Sequence, residues 1–193
     1  MLDLTRTIDL STTYRALVKR WFPRAMIVAD RFHVIRLVQH HLLKMARQLC
    51  PQLAWNRPWL YLLRSRLDRL TPERAAELQA LLAAQPVLKP IFDMKEDLCS
   101  LLRICRQNKR ECRGLVKQLL YLVDRLKKAD FEEAQTLGQT LWSWREEIAR
   151  MWRFSRNNGI TEGFHRKMKL IQRRAYGFRS FANYRLRVIA QCG

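Results

Sequence analysis

The order of apolar and polar positions changes character along the chain. Residues 4–9 (LTRTID) alternate weakly, which is compatible with a β-strand. Ser11 is a good helix N-cap, and the stretch Thr12–Trp21 sets Tyr14, Leu17, Val18 and Trp21 on one helical face. Pro23 ends that helix. The run Ala25-Met26-Ile27-Val28-Ala29 is continuously apolar, as a strand buried on both faces requires. Asp30-Arg31-Phe32-His33 follows and opens another apolar-periodic helix. Residues 4–50 therefore read as strand, helix, strand, helix, and two strands joined by a helix are expected to be parallel, with a right-handed crossover.

From about residue 36 to 155 there is no strand signal. Leu, Arg, Lys, Gln, Glu and Ala dominate, all good helix formers. Thr71-Pro72-Glu73 is an N-cap followed by proline at the first helical position. Gln85-Pro86 and Lys89-Pro90 bracket a turn. Asp130-Phe131-Glu132-Glu133 reads as a capping box opening a helix through Trp152. Phe131, Leu141, Trp142, Trp144, Ile148 and Trp152 supply apolar surface, and the three tryptophans read as core. Residues 156–160 (RNNGI) break the pattern, with Thr161 as a cap. Residues 162–176 read as a strongly basic helix with Gly177 just past its end as C′, and a last helix takes in Phe181, Tyr184, Leu186 and Val188.

Composition narrows the class. The chain has 193 residues, enough for one domain or slightly more, and 48% are hydrophobic, enough for a core. Lysine plus arginine outnumber aspartate plus glutamate 37 to 17, a net charge of +20. A charge that large on a small chain points to a polyanion, with nucleic acid first. No apolar run approaches the ~18 residues of a membrane span, and residues 1–10 lack a signal-peptide core. Five cysteines without C-x-x-C, and four histidines without zinc-knuckle spacing, read as reduced and mostly buried thiols in a cytosolic protein.

Asp9 and Asp30 each follow a predicted strand. On parallel strands both carboxylates emerge at the carboxyl edge of the sheet, where open α/β folds place their sites. Glu162 opens the basic helix. Three acids on separate elements are a donor set for Mg²⁺, although an aspartate after a strand is often only a helix cap. Arg166, Lys167, Lys169, Arg173, Arg174 and Arg179 crowd around a single acid and suit phosphate contact, and Arg103, Arg106, Lys109, Arg110 and Arg113 form a second basic run.

Two long segments carry a resemblance. Phe22-Pro23-x-Ala25-x-Ile27-Val28-x-Asp30-Arg31-Phe32-His33-Val34 resembles a signature of bacterial insertion-sequence DDE transposases of the ISL-three type. Asn158-Gly159-x-x-Glu162-Gly163-Phe164-His165-x-Lys167-x-Lys169, running on to Arg173-x-Ala175-Tyr176-Gly177-Phe178-Arg179 and Tyr184-x-Leu186-Arg187, resembles the same family's C-terminal signature.

The resemblance implies a mainly α (α+β) chain. A partial ribonuclease-H-like core, an N-terminal βαβ remnant, would occupy residues 1–37. A large all-helical insertion would fill 38–155, and basic helices returning to the core, with the catalytic helix, would fill 156–193. It implies DNA strand cleavage and transfer with two Mg²⁺ (or Mn²⁺) ions. Glu162 matches the third acid. Asp9 matches the second acid, and both would hold metal. Asp30 and His33 match an accessory pair, with Asp30 the alternative second acid. His165 stands where the family often carries Asn.

The first acid and its strand should precede Asp9, where Asp3 is the one acid among eight residues. The chain thus reads as a C-terminal portion, inactive alone, with the edge of the strand bearing Asp9 unpaired. Its expected partners are insertion-sequence ends, target DNA, and another copy or a full-length transposase, in the bacterial cytoplasm near the nucleoid. The alternative is a non-catalytic basic DNA-binding protein, such as a truncated transposition regulator.

Overall fold

The computed structural model describes residues 5–154 and 159–192. They divide into two compact units, residues 1–155 and 156–193. The first begins with strand β1 (Thr5–Ile8), helix α1 (Thr12–Trp21), strand β2 (Met26–Ala29) and helix α2 (Arg31–Leu49). Six helices follow: α3 (Arg57–Arg64), α4 (Pro72–Ala84), α5 (Lys89–Arg103), α6 (Lys109–Lys127), α7 (Glu132–Ser143) and α8 (Arg145–Arg153), with short 3₁₀ turns at Pro51–Ala54, Leu67–Arg69 and Pro86–Leu88. The second unit holds α9 (Gly159–Arg174) and α10 (Phe181–Cys192). The molecule is mainly α-helical, with one small parallel sheet.

Local chemistry explains most element starts. The Ser11 hydroxyl accepts from the Tyr14 amide at 3.3 Å and Thr71 accepts from Arg74 at 3.5 Å, each satisfying an orphan amide of a first turn. Proline stands at the first turn of α3, α4 and α5, where its missing N–H costs nothing. The capping box is not at Asp130–Glu133. Phe131 precedes α7 with no side-chain cap, and the box lies at Asn108 and Glu111, where each side chain bonds the other residue's backbone amide. The helix expected to run through Trp152 breaks at Trp144.

β1 and β2 pair in parallel, with Thr5 opposite Met26 and Ile8 opposite Ala29. Ile27, Val28 and Ala29 are buried, as their unbroken apolar run predicts. The Asp30 amide donates to the Ile8 carbonyl at 2.7 Å, so by the two-residue period the Ile27 carbonyl faces the opposite edge. There the Arg150 guanidinium of α8 donates to it at 3.2 Å. One edge of β2 is thus closed by a helix. Among the described residues β1 pairs with β2 alone, and its other edge has no neighbouring strand.

The core gathers around α2, whose Val34, Val38, Leu42, Met45 and Ala46 face Leu98 and Leu102 of α5, Leu137 and Leu141 of α7, and Trp152 of α8 within one buried cluster. Trp144 and Trp152 are buried, and the Trp152 indole N–H donates to the Leu101 carbonyl at 3.0 Å. Trp142 is not core. It is exposed, flanked by Lys127 at 5.2 Å and Arg145 at 4.4 Å from its ring. Helix α1 has the expected bounds and cap. Its Tyr14, Leu17 and Trp21 stay exposed, because a two-stranded sheet is too narrow to cover the apolar face.

In the second unit, α9 ends in a Schellman turn. The Gly177 amide donates to Gln172 O and the Tyr176 amide to Arg173 O, both at 3.1 Å. The C′ position belongs to Tyr176 at φ 51°, not to Gly177, which follows it at φ 101°. The Phe178 and Tyr184 rings lie 5.2 Å apart and join the turn to α10.

Candidate functional site

The bond between Asp30 N–H and Ile8 O sets the ends of β1 and β2 side by side, so Asp9 and Asp30 leave the sheet at one edge. Their side chains then diverge. The Asp30 carboxylate is buried, and its Oδ1 accepts from the amides of Phe32 at 2.8 Å and His33 at 3.4 Å. It is the N-cap of α2, a place where negative charge is favoured by the helix dipole. Asp9 is partly exposed and lines a cavity of about 340 Å³ with Ser11, His33, Arg36, Leu37 and His40.

His33 lies beside Asp30 and lines the cavity of Asp9. Its ring is about one-third exposed on the side of the Asp9 cavity, while its Nδ1 is buried 3.4 Å from Asp30 Oδ1. That approach is an ion-pair distance without hydrogen-bond geometry. His33, Arg36 and His40 recur at helical spacing, so one stripe of α2 lines the same cavity as Asp9. The stripe was readable as H-x-x-R-x-x-x-H, but only the packing of α2 beside the end of β1 reveals what it faces.

The residue between Asp30 and Phe32 holds the junction in place. Arg31 donates from Nε to the Leu102 carbonyl at 3.0 Å, and from one terminal nitrogen to Ile104 at 3.1 Å and Met151 at 2.9 Å. These carbonyls lie at the C-terminal ends of α5 and α8, where backbone acceptors lack intrahelical donors and the dipole favours a cation. Within the D-R-F-H segment, arginine is therefore the clamp, aspartate the cap, and histidine the residue that reaches the cavity.

Three groups away from the sheet edge have shifted ionisation. The Glu133 carboxyl lies below the ordinary glutamate range because Lys44, and then His41, hydrogen-bond it. Burial lowers the Lys95 ammonium, which donates to the Ser65 carbonyl at 2.8 Å. Burial pushes the Cys99 thiol up to about 11. Cys50 and Cys99 are buried free thiols, whereas Cys105 is exposed.

Among the described residues no three histidine, cysteine, aspartate or glutamate side chains come together as a metal centre. Asp9 is the one carboxylate lining its cavity, and a hard divalent cation takes several oxygen ligands. Asp9 could therefore supply one ligand to a hydrated divalent ion, but the described residues do not complete a metal site. The Glu162 backbone belongs to α9, but its side chain and that of His165 lie outside the described residues. Arg166, Lys167, Lys169, Arg173, Arg174 and Arg179 are all exposed. Arg166, Lys169 and Arg173 share one face of α9, and Lys167 donates to the Gln191 carbonyl of α10.

Comparison with known proteins follows this geometry closely in extent. A model of the ISL3-type DDE family, described as transposase, matches residues 5–188. The chain belongs to the ISL3-type transposase family. The match spans both signature segments and the helices between them. The chain is also 28% identical over 194 residues to the transposase for insertion sequence element IS1001 of Bordetella parapertussis, an alignment that covers 95% of this chain. It spans only 46% of that relative's length. No solved structure matches. Among the described residues no helix is long and apolar enough to cross a membrane.

Proposed function

We propose that this ISL3-type chain contributes part of a DNA strand-cutting and strand-joining site, built on a partial ribonuclease-H-like sheet. The observation that carries the reading is Asp9. It stands at the end of a parallel strand in a cavity walled by His33, Arg36 and His40, on a chain of net charge +20. Asp9 is the second acid in this reading, because Asp30 is buried and committed to capping α2. Glu162 on α9 is the third acid. Arg36 at the Asp9 cavity and the cations exposed on α9 would hold phosphates without reading sequence.

The family resemblance implies Mg²⁺-dependent chemistry, in which Asp9 and Glu162 would hold the metal and the metal would supply charge neutralisation at the phosphodiester. The property expected of the described residues is DNA binding through Arg36 and the cations of α9.

Two measurements test this. Fluorescence anisotropy with a duplex at several salt concentrations is expected to show binding that weakens steeply, and Lys169→Ala with Arg173→Ala should lower the log–log salt slope by about 2. Mn²⁺ titration followed by NMR should broaden the His33 and His40 ring signals selectively at millimolar ion, and Asp9→Asn should remove that selectivity. If Asp9→Asn leaves the broadening unchanged while Asp30→Asn abolishes it, the assignment of the second acid is wrong. The alternative, a non-catalytic DNA-binding regulator, predicts the same salt slope with no carboxylate-dependent ion binding.

A further inference from the structure

A second cavity of about 370 Å³ adjoins the first, with Arg36 and His40 in the walls of both. It lies between α2 and α3, where the Gln39 side-chain amide donates to the Arg64 carbonyl at 3.2 Å. Its lining has two characters. Phe32 presents an exposed ring, and Ile35 and Leu43 add apolar surface. Arg36 and Arg64 are exposed guanidiniums with no hydrogen bond or ion pair to other described residues. A volume of this size falls at the low end of the ~300–1,000 Å³ typical of small-molecule sites, so it suits one planar ligand of nucleotide size.

We propose that this cavity receives a single unstacked nucleotide, its base against Phe32 and its flanking phosphates on Arg36 and Arg64. An aromatic ring offers any base a face to stack on, and unpaired guanidiniums on the rim suit phosphate oxygens. The shared wall fixes the order along the strand. A phosphate held at Arg36 lies between the Asp9 cavity and the Phe32 cavity, so the nucleotide next to the phosphodiester at Asp9 is the one displaced. Removing that base from the stack opens the backbone at the point to be cut, which is the service that base flipping provides elsewhere. This inference rests on the DNA reading of the Asp9 cavity.

The test uses the full chain and two oligonucleotide probes of one sequence, a blunt duplex and the same duplex with unpaired terminal nucleotides carrying 5-iodouracil. Wild-type protein is expected to bind the unpaired form at least ~5-fold more tightly, the low end of what loss of one stacked base produces. Irradiation should cross-link that base to the peptide containing Phe32. Phe32→Ala and the pair Arg36→Ala, Arg64→Ala should erase the preference. These side chains are exposed, so folding is expected to survive, and circular dichroism checks it. Equal affinity for the two probes, or a cross-link elsewhere with Phe32→Ala unchanged, overturns the pocket while leaving the DNA reading intact. Failure to bind either probe at low salt overturns the DNA reading and the pocket with it.

Discussion

Replacing Arg31 tests whether the strand–helix junction is held by long-range bonds or by the strand pair alone. The guanidinium reaches three carbonyls at 2.9–3.1 Å, on segments 71 to 120 residues away in sequence. Hydrogen bonds to a charged partner contribute about 1.5–3 kcal/mol each, but Arg31 is only partly buried and water can replace some of them. The expected loss in Arg31→Ala is therefore about 3 kcal/mol, well short of the simple sum. At about 2–4 °C per kcal/mol for a chain of this size, the melting temperature should fall by roughly 6–12 °C. Arg31→Lys should recover little, since one ammonium on a flexible stem cannot meet three diverging acceptors in the plane of a fork. Urea unfolding followed by circular dichroism measures the loss. A change below about 1 kcal/mol in Arg31→Ala, or a lysine variant as stable as wild type, would refute the clamp.

Other perturbations have equally defined outcomes. A Cβ on Gly138 would sit 2.9 Å from Lys127 Cγ and 3.0 Å from its backbone nitrogen, so Gly138→Ala should destabilise by about 1–2 kcal/mol despite the helix propensity gained, as chemical denaturation will show. Arg15 pairs with buried Glu147 at 2.7 Å and lies 4.7 Å from the Trp144 ring, so Arg15→Met should cost about 3 kcal/mol and Arg15→Met with Glu147→Leu noticeably less. Glu133 has a depressed folded pKa, so its contribution is complete above the unfolded carboxylate value of about 4.3 and is lost as pH falls through the lower folded value. The stability gap between wild type and Glu133→Gln should shrink across that acid window in thermal melts at stepped pH.

The order of elements was legible in the sequence because its causes are local. The unbroken apolar run at residues 25–29, the caps at Ser11 and Thr71, and the prolines at 72, 86 and 90 each act within a turn or two of backbone. Parallel pairing of β1 and β2 followed from the helix between them. Both signature segments, and with them the family, were equally visible in one dimension. The C′ assignment failed at the end of α9, where Tyr176 takes the left-handed position that local preference gives to glycine.

What each side chain faces was a tertiary matter. Asp9 and Asp30 look alike in sequence, each an acid after a strand. One was left lining a cavity, and the other was buried under the first turn of α2. Arg31 reads as one cation among 37, yet it meets carbonyls from two distant helices. Trp142, Trp144 and Trp152 share one apolar pattern, but the first points into solvent between two cations. The apolar face of α1 is intact in sequence and uncovered in the fold, because burial depends on how wide a sheet lies beneath it. Propensity and capping are decided by neighbours along the chain, so sequence determined the helices and strands. Burial, charge pairing and the meeting of α2 with the end of β1 are decided by neighbours across space, so only the packed structure shows what surrounds each candidate residue.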